Sequence, residues 1–273
     1  QFAASTVLRI GVALLGLRIT FGEISALGSN TALMVVAGVL FTILFGWLFS
    51  RFSSTEKYFG LLTGGAVAIC GASAALAIAA VLPRGPNHDR DTSFAVIGVT
   101  ALSTIAMVVY PVIVGVMGFN PHQAGIFLGA TIHDVAQVVG AGYSMGKDAG
   151  DTATIVKLLR VAMLLPVILV LSLMFRERAQ AGTNAMRPPL LPWFAVAFGI
   201  LVALNSFVAM PKQLLVVAGD ASRFALVLAI SAIGMRTSLK ELTVLGMKPV
   251  VLMVAETVFL AGIIALMMKL LVI

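Results

Sequence analysis

An all-α polytopic membrane protein, with inverted repeats and two re-entrant hairpins or broken helices at the membrane midplane, is the architecture this sequence predicts. Three observations carry the prediction. Of 273 residues, 60% are hydrophobic and 11% charged, and mean hydropathy is +1.08; a soluble domain of that composition would expose far too much apolar surface. The apolar residues gather into nine stretches of about the 20 residues that a spanning helix needs. Two sequence patterns also recur within the chain, in places the topology relates by inversion.

In chain order the stretches cover residues 3–22, 31–50, 59–82, 93–118, 122–145, 154–175, 192–210, 221–243 and 249–271. The polar links between them, such as 51–57, 83–92 and 176–189, are too short to divide the chain, so residues 1–273 read as a single transmembrane domain. Glycines single out two stretches. Gly60, Gly64, Gly65 and Gly71 interrupt 59–82, and Gly125, Gly129, Gly140 and Gly142 interrupt 122–145. Matching glycine-interrupted segments point to hairpins or broken helices around a transport site; packing of small residues between plain helices is the alternative. The chain opens at Gln1 inside an apolar stretch, which suggests that further N-terminal helices precede it.

Basic residues orient the stretches. Arg51 and Lys57 precede 59–82, and Arg84 and Arg90 follow it, so both of its ends are expected on the cytoplasmic side. The link before 122–145 has no Lys or Arg, and Lys147 after it is balanced by Asp148 and Asp151, so both of those ends are expected outside. With these two segments re-entrant, Arg176, Arg178, Arg187, Arg236, Lys240 and Lys248 all fall inside. The repeats agree. Gly16-Leu17-Arg18 through Gly28 returns as Gly234-Met235-Arg236 through Gly246, in the pattern G-[LM]-R-x-[ST]-[FL]-x-E-[IL]-x-x-L-G. A weaker repeat sets Gly60 and Gly64 over Gly125 and Gly129, and Pro111-Val112-Ile113 over Pro166-Val167-Ile168.

The bases are scattered between apolar stretches, which argues against nucleic acid as a partner. Cys70 is the only cysteine, so an internal disulfide and a multi-cysteine metal site are both excluded. No cofactor is expected, and the partners expected are a small anion and membrane lipid. The oligomeric state stays open, a homodimer included.

The strings Ile69-Cys70-Gly71-Ala72-Ser73-Ala74 and His133-Asp134-Val135-Ala136-Gln137-Val138-Val139, with Leu159-Arg160-Val161 and Leu191-Pro192-Trp193-Phe194, resemble the YeiH family. That resemblance runs over essentially the whole chain. It implies a bacterial inner-membrane protein of a group described as sulfate exporters, with organic sulfonates as a competing substrate class. It also implies N-terminal helices before Gln1. Asp134 stands where the family's pattern has Glu, a shorter acid of the same charge.

Several residues could carry the chemistry. At the tip of the first hairpin, Cys70, Gly71, Ala72 and Ser73 are small enough to let an oxyanion reach backbone N–H groups at a helix N-terminus. Ser73 adds a hydroxyl donor, unless it bonds its own preceding turn. In the second, Thr131, His133, Asp134 and Gln137 form a dense polar group within an apolar stretch. His133 and Asp134 could be a protonatable gating pair, or could pin the hairpin to backbone groups. Arg18 and Arg160 suit a bidentate grip on an oxyanion; Arg236, at its helix end, reads as snorkelling. Asn205 is a further substrate candidate, and Glu256 a proton-coupling or gating candidate.

An enzyme is not expected. His133-Asp134-Val135-Ala136-Gln137 lacks the second histidine of a zinc-protease helix. An intramembrane serine protease using Ser73 and His133 would rest on a short G-x-S string common in small-residue helices. The reading that results is a secondary transporter that exports a sulfate-like or organosulfonate anion by alternating access. A sodium- or proton-coupled importer is the alternative.

Overall fold

The computed structural model describes residues 6–18, 20, 22, 25, 27–51, 58–83, 85–179, 193–208, 210–234 and 247–271. Among them the secondary structure is helical. In chain order the helices are α1 (Leu8–Leu15), followed by a 3-10 turn at Gly16–Arg18, then α2 (Gly28–Ser50), α3 (Phe59–Ala68), α4 (Ala72–Val81), α5 (His88–Met117) and α6 (Pro121–Thr131). They continue with α7 (Val135–Ser144), α8 (Lys147–Ala162), α9 (Leu164–Ala179), α10 (Trp193–Phe207), α11 (Lys212–Gly234) and α12 (Met247–Leu270). Four helical stretches are long and apolar enough to cross a membrane: Gly28–Ser50, Arg90–Met117, Lys147–Phe175 and Met247–Leu270.

Both glycine-rich segments are split in the middle, and in both the two arms fold back on each other. Gly65 of α3 lies so close to Ile78 of α4 that a Cβ there would collide with the Ile78 side chain. In one continuous helix those positions would be about 20 Å apart. The Phe59 ring, at the open end of α3, lies 5.9 Å from the ring of Phe94, in the helix that follows α4. In the second pair, Gly125 of α6 packs on Ala149 and Thr152, while Gly142 of α7 packs on Ala149, Gly150 and Ala153. The open ends of α6 and α7 therefore reach the same turns of α8.

Helix α5 fixes how the two hairpins face each other. It is 30 residues long, about 45 Å, and runs on through Pro111. Its start meets the base of the first hairpin at Phe59, and its far end meets the second through Tyr110 and Phe127, whose rings are 5.6 Å apart. Halfway along, Ser103 and Thr104 bond Asp134 and Gln137 at the tip of the second hairpin. The hairpins thus enter from opposite ends of α5 and meet tip to tip at its middle, with α8, α2 and α12 packed around them. A second group, α1 with α10 and α11, is held together by contacts that include a 2.7 Å hydrogen bond from Ser222 Oγ to the Gly11 carbonyl.

The glycines play a different part from the one expected. Of the eight, only Gly71 lies in a break, where its φ of 68° is left-handed and costs a side-chain-bearing residue most. The others fall inside helices, and Gly60 and Gly64 allow α3 to touch α2 at Gly46 and Thr42, where a Cβ on Gly60 would overlap the Gly46 carbonyl. Small-residue packing thus accounts for most of the glycine pattern, and the breaks fall at 69–71 and 132–134 instead. Two boundaries also move. Helix α8 begins at Lys147 rather than near 154, which places Arg160 in its last turn and not near a helix start. Helix α11 begins at Lys212 because Gly219 and Asp220 cost only about 1 kcal/mol each in a helix, too little to stop it. Arg236 and the second copy of the Arg-bearing repeat from 235 to 246 lie outside the described residues.

This geometry gives a topological expectation. Arg51 ends α2 and Arg90 opens α5, and both are exposed. Cysteine placed at either position in a Cys70→Ser background should react with an impermeant thiol reagent from the same side of the membrane. Reaction from opposite sides would mean that the first hairpin crosses it.

Candidate functional site: two hairpin tips at mid-height

A helix that stops inside an apolar core leaves its last carbonyls without partners, and here two helices do so side by side. Helices α3 and α6 end at Ala68 and Thr131. Their carbonyls are met by two cationic side chains of α8, one turn apart. Arg160 donates from Nε to Ala68 O at 2.8 Å, from one terminal nitrogen to Val67 O at 2.8 Å, and from the other to Ile132 O at 2.9 Å and Gly129 O at 3.2 Å. Lys157 Nζ donates to Ile69 O at 2.6 Å and Ile132 O at 3.0 Å. Both side chains are fully buried, Lys157 at 0% and Arg160 at 1% exposure. Carbonyl dipoles at helix C-termini favour a cation, and charge-assisted bonds of this kind are the strong ones. One helix face therefore clamps both hairpins. Arg160, expected to grip an anion, spends its guanidinium on backbone oxygens instead.

The tips touch each other directly. A Cβ on Gly71 would sit 3.7 Å from the His133 carbonyl and 3.8 Å from Asp134 Cβ. His133 is buried, with Nδ1 3.1 Å from Val67 O and Nε2 3.1 Å from Thr257 Oγ1, halfway along α12. A carbonyl can only accept, so Nδ1 carries a proton; Nε2 lies against the Thr257 hydroxyl, which is also 2.8 Å from the Met253 carbonyl one turn back. His133 thereby ties the second tip to the first tip and to α12, which is the pinning role rather than a free titrating pair. Asp134 Oδ1 accepts from the Ala136 N–H at 3.0 Å and so caps α7, and the Asp134 N–H donates to Ser103 Oγ at 2.9 Å.

The two N-termini at the centre differ in consequence. Helix α7 is capped by its own acid, whereas α4, which starts after Gly71, has no side-chain cap. Ala72 and Ser73 are half-buried, and the Ser73 hydroxyl has no hydrogen-bond partner among the described residues. Cys70 is buried beside them. Gln137 is buried and donates from Nε2 to Thr104 Oγ1 at 2.9 Å, while its Oε1 has no partner. Thr131 donates to Phe127 O at 2.6 Å, one turn back, so its hydroxyl is not free for a ligand.

Other expected residues lie elsewhere. The Arg18 backbone forms the turn after α1, Asn205 is half-buried in α10, and neither helix belongs to the group that holds the tips. Glu256 is fully buried in α12, against Thr63 of α3. Lys157 was missed, although a lysine three residues before Arg160 in the run Ile155-Val156-Lys157-Leu158-Leu159 is an ionisable group at membrane depth and so a signal in itself. Thr63, Ser103, Thr104 and Thr257 were missed as well, and single hydroxyls in apolar helices carry no signal of that kind. No group of three or more His, Cys, Asp or Glu side chains among the described residues could hold a metal ion.

The family model described as Conserved hypothetical protein 698 matches residues 1–253. A UPF0324 membrane protein of Chlorobaculum tepidum is 58% identical over 261 residues, 96% of this chain and 73% of its own length. The UPF0324 membrane protein TauZ of Paracoccus denitrificans is 54% identical, over 95% of this chain and 77% of its own length. A UPF0324 membrane protein of Rhizobium meliloti is 49% identical, over 96% and 76%. No solved structure matches.

Proposed function

Because this chain belongs to the Conserved hypothetical protein 698 family, whose relatives carry the name UPF0324 membrane protein, we propose that it is a secondary transporter and not an enzyme. Its substrate is a sulfate-like or organosulfonate anion, exported by alternating access across the bacterial inner membrane. The observation that carries this reading is the meeting of two oppositely directed hairpins halfway along α5 and α12, where helix ends face one another at a depth that water does not normally reach. Discontinuous helices with their ends turned to a central site are the arrangement by which transporters bind ions without exposing backbone to lipid. In this reading both hairpins are re-entrant, one from each side.

The uncapped N-terminus of α4 is the anion-binding end. Its backbone N–H groups, the positive end of the helix dipole and the Ser73 hydroxyl converge there, and the carbonyls that would repel an anion are neutralised by Lys157 and Arg160. Gln137, three residues past Asp134, has a second hydrogen on Nε2 besides the one given to Thr104. A protease reading finds no support, because both nitrogens of His133 are engaged by Val67 and Thr257 and neither serves Ser73.

Replacement of Ser73 or Gln137 by Ala should each weaken anion binding by about 0.5–1.5 kcal/mol, the worth of one neutral hydrogen bond, with an unchanged melting temperature for Ser73→Ala. Calorimetric titration of the purified protein with sulfate, sulfite and small sulfonates would measure it. Binding unchanged in both variants would remove the hairpin tips from the site.

A further inference from the structure

One buried acid in the bundle is not used by the clamp or by the tips. Glu256 sits halfway along α12 at 0% exposure. Its Oε1 is 2.8 Å from Thr63 Oγ1 of α3, and its Oε2 has no partner. The side chain lies where α2 and α3 are closest: a Cβ on Gly46 would collide with Oε1, and Gly46 and Gly60 are in backbone contact. Its surroundings are small and polar or apolar side chains. From α2 comes Gly46; from α3 come Gly60, in contact with Gly46, and Thr63; α12 itself adds Thr257, which holds His133 of the second tip. His133, held by the neighbouring Thr257, has both nitrogens committed, and the Lys157 and Arg160 nitrogens point at carbonyls. Glu256 forms no ion pair among the described residues.

Its hydrogen bonds allow two protonation states. Thr63 Oγ1 is 3.1 Å from the Phe59 carbonyl and 2.8 Å from Glu256 Oε1, and a hydroxyl has one proton to give. If Thr63 donates to Phe59, whose carbonyl can only accept, then Glu256 must donate to Thr63, which requires a protonated carboxyl. The alternative is a carboxylate with a single hydrogen bond and a bare second oxygen in an apolar span, the costliest arrangement available. We propose that Glu256 is a proton-binding site that joins α12 to the first hairpin: a neutral acid in this conformation, able to release its proton only when α3 parts from α12. The protonated state rests on the side chain's complete burial and its bare second oxygen together with the Thr63 contact. Its link to transport rests on the anion-transporter reading, because α3 is one arm of the hairpin whose tip binds the anion.

Infrared spectroscopy of the full chain in lipid at neutral pH tests this. The difference spectrum of wild type minus Glu256→Gln should show the carbonyl band of one protonated carboxylic acid, shifted by deuterium exchange. In Thr63→Val the same band should move to higher frequency, since the acid loses its acceptor; this variant keeps the test available if Glu256→Gln does not fold. A carboxylate band pair in place of the acid band, or no shift in Thr63→Val, would overturn the proposal. Sulfate flux without the acid band would refute the proton site and leave the anion reading standing, whereas the acid band without anion flux would sustain the site and remove the transport reading.

Discussion

Replacing Arg160 by Ala is expected to cost roughly 3–5 kcal/mol of stability, the range seen when one partner of a buried charged arrangement is removed. The guanidinium is the acceptor carbonyls' main source of donors at both tips, reaching four oxygens on two hairpins that approach from opposite ends. A hydrogen bond to a charged group contributes about 1.5–3 kcal/mol, but the four are not additive. Lys157 still serves Ile132, and His133 still serves Val67. Ala68 O and Gly129 O are left without a side-chain donor, and the tips lose their strongest tie. Arg160→Lys keeps the charge but not the fork, so its loss should be intermediate. Thermal unfolding in detergent should fall by about 6–20 °C for Arg160→Ala, taking roughly 2–4 °C per kcal/mol for a chain of this size. An unchanged melting temperature would mean that the clamp does not hold the tips.

What the sequence disclosed and what it hid follow from chain separation. Segment positions were legible because apolar runs of spanning length need no partner to be recognised, and the structure interrupts the helix within each glycine-rich segment, at 69–71 and 132–134. The polar string from Thr131 to Gln137 was legible for the same local reason. Its roles were not. Whether Thr131 faces a ligand or its own preceding turn, and whether His133 is free or pinned, depends on groups 4 to 124 residues away. Arg160 shows the point most clearly. An arginine at membrane depth announces a function, but its partners are carbonyls at residues 67, 68, 129 and 132, and backbone carbonyls are the same in every sequence. Glu256 and Thr63, 193 residues apart, could not be paired without the fold. The glycines misled because close packing and helix interruption select the same residue for different reasons.

The electrical driving force on the proposed substrate is an effect of similar size. Moving one charge across 100 mV involves about 2.3 kcal/mol, so an inside-negative potential of that size drives a dianion outward by about 4.6 kcal/mol. Export of sulfate therefore needs no coupling cation. Uptake against the same field would need at least two cations per dianion merely to be neutral, and the acids near the tips are Asp134, which already caps α7, and Glu256, for which the neutral form is proposed above. The direct measurement is release of radiolabelled sulfate, sulfite or a small sulfonate from proteoliposomes of defined orientation, with an inside-negative potential imposed and no sodium or pH gradient. The account predicts that the potential accelerates release of at least one of these anions and that Ser73→Ala slows it. Release that ignores the potential, with uptake that instead requires sodium or an inward proton gradient, would contradict it and make the protein a coupled importer.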